Sequence, residues 1–257
     1  TPDAIQPGPW SWWTNLQPYA LDWTGELARP NPSAAPRLEV EHVALSGRWR
    51  APEAALTQLR VRFPEGALEA QAALNAATRA LRFELRSDFD PQRLLPWLPE
   101  KPRERLSRFS WAVPPQLNAR GALVLPAWTN RSPDWRAEAQ PTLGLAGEFE
   151  LAHAAYLGVP VRRARGHFFY SNEVWRLPDL EVLRPEGALR LEHVADDRTR
   201  DFFWRVQGVF DPRAVRPLLK PGDAEDLDLL VCAQPPSFSG EMRGRWQQRE
   251  RLGFHGR

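Results

Sequence analysis

A single cysteine, Cys232, stands in the 257 residues, so no disulfide can form inside the chain. Methionine is almost absent too, with Met242 the only one, and the chain begins at Thr1. We expect from this a segment of a longer protein. Lysine is confined to Lys101 and Lys220, so the basic charge is carried almost wholly by arginine. No apolar run approaches the roughly 20 residues of a spanning helix, and no signal-peptide pattern opens the chain. The balance of 34 basic and 32 acidic residues leaves a net charge of +2. That is too weak a field to point to nucleic acid.

The familiar chemical motifs are missing as well. The five histidines, His42, His153, His167, His193 and His255, show no metal-ligand spacing. Ser46, Ser171 and Ser239 lie in no nucleophile elbow, and no glycine-rich phosphate loop occurs. Glu65 and Glu186 sit in turns and do not form a pair of facing acids. The sequence therefore predicts no catalytic residue, no metal and no cofactor.

What is present is a repeat. Residues 59–98 align without a gap on residues 180–219, with 14 identities in 40 positions. The five letters PEGAL occur at Pro64–Leu68 and again at Pro185–Leu189. A period of 121 residues is too long for a short solenoid unit and reads as a duplicated block of strands. In the first copy Leu59, Val61, Leu68, Leu81, Phe83 and Leu85 alternate with mostly polar residues. In the second, Leu180, Val182, Leu189, Leu191, Phe202, Trp204 and Val206 do the same, although Phe203 interrupts the polar side. Period-two alternation means strands with one apolar face.

Pro64 with Gly66, and Pro185 with Gly187, supply turn chemistry between antiparallel strands: proline presets φ and glycine tolerates positive φ. Asp90-Pro91 and Asp211-Pro212 then open a short helix, with Asp as N-cap and Pro in the first helical position. Pro96 and Pro217 keep each helix to a turn or two. Flanking alternations suggest further strands at 38–50, 117–125, 143–151 and 161–170. Residues 30–36, 99–108 and 220–226 read as turns or polar connections.

The fold expected is all-β with minor short helices. Two related antiparallel units form a curved sheet or groove, or alternatively a β-sandwich. A Trp-rich strand or lead-in occupies residues 1–37, the first unit 38–128 and the second 129–257, with a truncated end. The twelve tryptophans, with Trp10, Trp12, Trp13 and Trp23 near the start, either pack and cover the sheet, offer platforms for sugars or sit at a membrane interface.

The pattern dLxVxxPEGaL…TR…F…FDPxxxxPxL, carried by Leu56–Leu98 and Leu177–Leu219, resembles the AsmA-like proteins of bacterial envelopes. The two stretches cover about a third of the chain. The resemblance implies a long curved sheet with an apolar inner face that binds or conducts phospholipid acyl chains. It further implies a periplasmic body, an inner-membrane anchor outside this chain, envelope-protein partners and a role in outer-membrane lipid homeostasis. A carbohydrate- or protein-binding sandwich is the first alternative and a hydrolase the second.

Overall fold

A computed structural model describes residues 12–28, 38–218, 234–246 and 248–256, with backbone alone at 249–252 and at 254. Fourteen antiparallel strands form one open, curved sheet. They are β1 (Ala20–Ala28), β2 (His42–Arg50), β3 (Glu53–Phe63), β4 (Gly66–Asn75), β5 (Ala80–Ser87), β6 (Phe109–Trp111) and β7 (Gln116–Val124). They continue as β8 (Gly144–Tyr156), β9 (Val159–Ser171), β10 (Val174–Leu183), β11 (Ala188–Asp196), β12 (Asp201–Val209), β13 (Ser237–Arg245) and β14 (Gln248–Gly256). Spatial order follows chain order except that β6 leaves the path and pairs with β8. The sheet is a single one among the described residues, so the curved-sheet expectation holds and the sandwich does not.

The duplication is visible strand by strand. β7 and β13 occupy positions 121 apart, as do the turns that precede β5 and β12. In those turns Asn75 accepts from the amides of Ala77 and Thr78, and Asp196 from those of Arg198 and Thr199. Arg79 and Arg200 follow in the left-handed region, with φ of 64° and 65°. Their carbonyls accept from the amides of Leu125 and Trp246, again 121 apart. The repeated Thr-Arg pair is therefore turn architecture. The boundary expected at 128/129 falls in the connection between β7 and β8, and the sheet runs on through it.

The PEGAL turns differ from expectation in one respect. Gly66 takes a φ of +110°, and a Cβ there would stand 2.3 Å from the Asp88 carbonyl oxygen. Gly187 is not in the positive-φ region. It is needed because a Cβ would lie 2.2 Å from the Val209 carbonyl oxygen. The first loop is a tight hairpin with Phe63 paired to Gly66, whereas the second closes through the Arg184 amide onto the Gly187 carbonyl.

Both Asp-Pro segments form 3₁₀ turns, at Pro91–Trp97 and Pro212–Leu218. Asp90 caps the first by accepting from the Gln92 amide, and Asp211 accepts likewise from Arg213. Residues 100–107, read as a polar connection, form helix α1 (Glu100–Ser107). Its two acids and four basic or proline positions hide any apolar period, so no pattern announced it. A second short helix, α2 (Trp135–Glu138), lies between β7 and β8. Residues 30–36 and 220–226, together with Trp10, Leu219, Lys220 and Cys232, fall outside the described residues.

Candidate functional site: an apolar sheet face

All thirteen apolar residues singled out by alternation fall on one face of the sheet. The register carries one row across the strands through Leu45, Leu59, Ala70, Leu85, Ala119, Gly147 and Phe168. A neighbouring row runs through Leu56, Ala72, Phe83, Gly121, Leu145, Tyr170 and Trp175. In the second copy the rows continue through His193, Trp204 and Met242, and through Leu180, Leu191, Val206 and Gly240.

Burial separates this face from an ordinary core. Each of the thirteen candidates is half-buried, and none is buried. Among the described residues the buried hydrophobic side chains are Trp49, Phe63, Ala76, Phe89, Ala139, Ala154, Val159, Ala164 and Tyr170. They lie mainly near strand ends and under connections. The sheet thus keeps an apolar surface that neighbouring side chains cover only in part.

Sequence reasoning missed how that surface is laid. Several aromatic residues pair across strands with a glycine: Trp23 with Gly47, Phe83 with Gly121, Phe168 with Gly147, Phe202 with Gly244, and Phe238 with Gly208. At Gly47, Gly121 and Gly147 an added Cβ would lie 2.2, 2.6 and 2.5 Å from the ring of the aromatic partner. The ring lies over the neighbouring strand because no side chain stands there. The signal was present as in-strand glycines opposite aromatics, but it becomes readable only once register is known.

The opposite face is a ladder of paired charges. Arg60 donates to Glu69 at 2.8 Å, Arg86 to Asn118 at 3.0 Å, and Asn118 to Glu148 at 2.7 Å. Arg163 donates to Glu150 and Arg165 to Glu181, each at 2.7 Å. Arg205 bridges Glu192 at 2.6 Å and Glu241 at 3.0 Å. Such cross-strand pairs fix register and keep this side wetted. The hydrogen bond from Arg163 holds Glu150 below the usual carboxylate range, and that from Arg165 does the same for Glu181.

Two histidines mark the two faces. His167 stands among the charges, with Nδ1 2.6 Å from Asp179 and Nε2 3.7 Å from Glu148. The hydrogen bond with Asp179, then its charge, raises the His167 pKa above the ordinary value. Burial works against the Asp179 carboxylate, yet the backbone and ring hydrogen bonds from His167 keep its pKa below normal. His193 is the only ionisable residue of β11 and β12 on the apolar face. Its ring stacks on Trp204 at 3.8 Å, and Nδ1 lies 2.9 Å from the Phe203 carbonyl oxygen. Burial lowers its pKa.

The cavities also divide by face. A pocket of ≈ 280 Å³ opens on the apolar side between β11 and β13, lined by Leu191, Trp204, Val206, Phe238, Gly240, Glu241 and Met242. Leu191, Trp204 and Val206 were expected there; Phe238, Gly240 and Met242 were not, because β13 lies outside the aligned repeat. Two larger hollows, of ≈ 800 and ≈ 650 Å³, lie on the charged side of β3–β9, where long side chains such as Arg60, Glu84 and Arg120 stand around short ones such as Thr57 and Ala146. The hollows on the first unit are therefore on its wetted side, and the apolar pocket belongs to the second.

One margin of the apolar face is covered. Trp12 stacks on Trp49 at 5.7 Å and meets Trp128 edge-on at 5.7 Å. Trp128 donates to the Ala76 carbonyl at 2.8 Å and Trp49 to that of Leu16 at 3.3 Å. Farther along, Gln140 donates to the Tyr170 hydroxyl at 2.9 Å, and that hydroxyl donates to Asp197 at 3.1 Å. The connection between β7 and β8 is thus tied over the sheet margin. Trp12 serves as cover here and is not a free platform for a sugar.

No cluster of three metal-ligating side chains exists among the described residues. No helix there is long and apolar enough to cross a membrane. Comparison of the chain with known families, with curated proteins and with solved structures returns no match.

Proposed function

We propose that this chain is a non-catalytic lipid-handling module whose apolar sheet face receives phospholipid acyl chains. One observation carries the reading: thirteen apolar side chains from two repeats share one face of a single sheet, and every one is half-buried. An acyl chain gains roughly 0.8 kcal/mol for each CH₂ it hides, so even a few contacts hold it firmly. The pocket at Leu191, Trp204, Val206 and Phe238 offers a deeper seat within that face. The charged ladder behind it keeps the other side in water.

The resemblance to AsmA-like proteins supports the same reading and extends it. The module would then work in the bacterial periplasm, held by an inner-membrane anchor outside this chain, with envelope proteins as neighbours. Duplicated units lengthen such a surface without altering its chemistry.

The test is lipid capture. Protein purified from a bacterial host is extracted and its co-isolated lipid measured by mass spectrometry. We expect phospholipid to accompany the wild type. Phe83→Glu and Trp204→Glu each place a carboxylate on the apolar face and should abolish capture, while Thr57→Glu on the charged face should not. Undiminished capture by folded Phe83→Glu and Trp204→Glu proteins would rule the apolar face out as the seat.

A further inference from the structure

The sheet margin bearing the PEGAL turns carries a second surface that the acyl-chain reading does not use. It is an elbow made by the 3₁₀ turn Pro91–Trp97, helix α1, strand β6 with the connection that follows it, and the β8–β9 turn. Three apolar side chains protrude from it: Trp97 is 45%, Val113 46% and Leu157 41% exposed. Helix α1 and the residue after it add Lys101, Arg103, Arg105 and Arg108 against Glu100 and Glu104. Glu104 is engaged by Arg108 at 2.5 Å. Lys101, Arg103 and Arg105 are exposed and join no ion pair among the described residues.

Leu157 is the informative residue. It occupies a two-residue hairpin turn with Gly158, with φ of 49° and 82°. A turn with two left-handed residues is ordinarily built from Asn-Gly or Asp-Gly, because a branched side chain is strained there. The chain nevertheless holds a leucine in that conformation and exposes it. The turn is fixed to the end of α1, with the Leu157 amide donating to the Arg108 carbonyl at 2.8 Å. Phe109 packs on Tyr156 at 4.8 Å beneath it. A strained apolar tip is therefore held rigidly beside a group of cations.

We propose that this elbow docks on the surface of an anionic lipid bilayer. Apolar tips at Trp97 before a cationic helix and at Leu157 bonded to its end suit a soft headgroup layer. There, tryptophan and leucine reach the acyl boundary while arginine and lysine meet lipid phosphates. A protein partner would instead call for one contiguous apolar centre. The proposal is independent of the acyl-chain reading, since neither the apolar face nor its pocket takes part.

Vesicle flotation with the whole chain tests it. The wild type should float with vesicles of phosphatidylethanolamine and phosphatidylglycerol, stay behind with phosphatidylcholine alone, and be released by added salt. Leu157→Asn gives the turn its preferred residue, so it should raise Tm by about 2–4 °C while weakening vesicle binding about tenfold. Lys101→Gln removes one cation and should weaken binding about fivefold. Equal binding to neutral vesicles, no binding by the wild type, or a Leu157→Asn protein that is more stable yet binds unchanged would each overturn the proposal. So would a dimer that forms without lipid and is lost in the same variants, since that assigns the elbow to a second copy. Lipid co-isolation is read separately, so loss of one activity leaves the other standing.

Discussion

The two PEGAL turns hold the same place in their repeats and are secured by different forces. In the first, Phe63 and Phe89 stack at 4.5 Å, 9% and 6% exposed, and Glu65 meets Arg93 outside at 3.3 Å. In the second, Arg184 stands where Phe63 stood and is 4% exposed. Its Nε lies 2.6 Å from Glu186, the counterpart of Glu65. Phe210, the counterpart of Phe89, turns to Phe238 at 4.6 Å instead. One latch is apolar and the other ionic. The pairing on the charged face changes in the same spirit: Arg60 faces Glu69 in the first copy, and Glu181 faces Arg190 in the second. Duplication has kept the side of the sheet and the complementarity of neighbours, and has let residue identity go.

The latches can be separated by mutation. Phe89→Ala opens a cavity under the first and should cost about 4 kcal/mol, whereas half-buried Phe210→Ala should cost about half as much. Urea unfolding measures both, and equal costs would erase the distinction. Next in size, Glu186→Ala strands the buried Arg184 and should cost about 3 kcal/mol. Glu65→Ala breaks only an exposed pair and should stay within about 0.5 kcal/mol. A small cost at Glu186 would mean that Arg184 reaches water or another carboxylate once freed.

The smallest expected effect is a pH dependence that belongs to the second copy. His193 takes the place of Ala72, and its cross-strand partner is Trp204 in place of Phe83. Its native pKa lies below the ordinary value, so its contribution is present above about pH 6.5 and is lost as pH falls through the lowered native value. His167 on the charged face has the opposite sign. Its raised pKa gives a contribution complete below about pH 6.5 that is lost as pH rises through the native value. Urea midpoints against pH should flatten on the acid side in His193→Gln and on the neutral side in His167→Gln. Identical profiles in both variants would show that neither environment persists in solution.

Much of this fold could be read in the sequence because its information is local. Alternation identified β3, β4, β5, β10, β11 and β12 and the face each turns to the apolar side. Asp-Pro marked both 3₁₀ turns, and Asp90 and Asp211 accept the amide bonds expected of them. What escaped depends on neighbours distant in the chain. Phe238 and Met242 complete the apolar pocket only because β13 pairs with β12 across a long connection. Strand β1 lies within the stretch expected as a Trp-rich strand, and Leu21, Trp23 and Leu27 alternate there with Asp22, Thr24 and Glu26, but its exposure along its whole length was not legible. Helix α1 is polar nearly all round. The different roles of Gly66 and Gly187 follow from what backs onto them, the Asp88 carbonyl in one case and the Val209 carbonyl in the other.

The rings laid over glycines have a consequence for anything that moves on the apolar face. Phe83 over Gly121 and Phe168 over Gly147 fill hollows where they would otherwise stand as posts. An apolar surface made this way has low corrugation. A flexible hydrocarbon passing from strand to strand exchanges one shallow set of dispersion contacts for another of similar depth, with no upright ring to step over. On that stretch contact would be spread along the length, whereas the pocket at Leu191, Trp204 and Val206 is a deeper place on the same face.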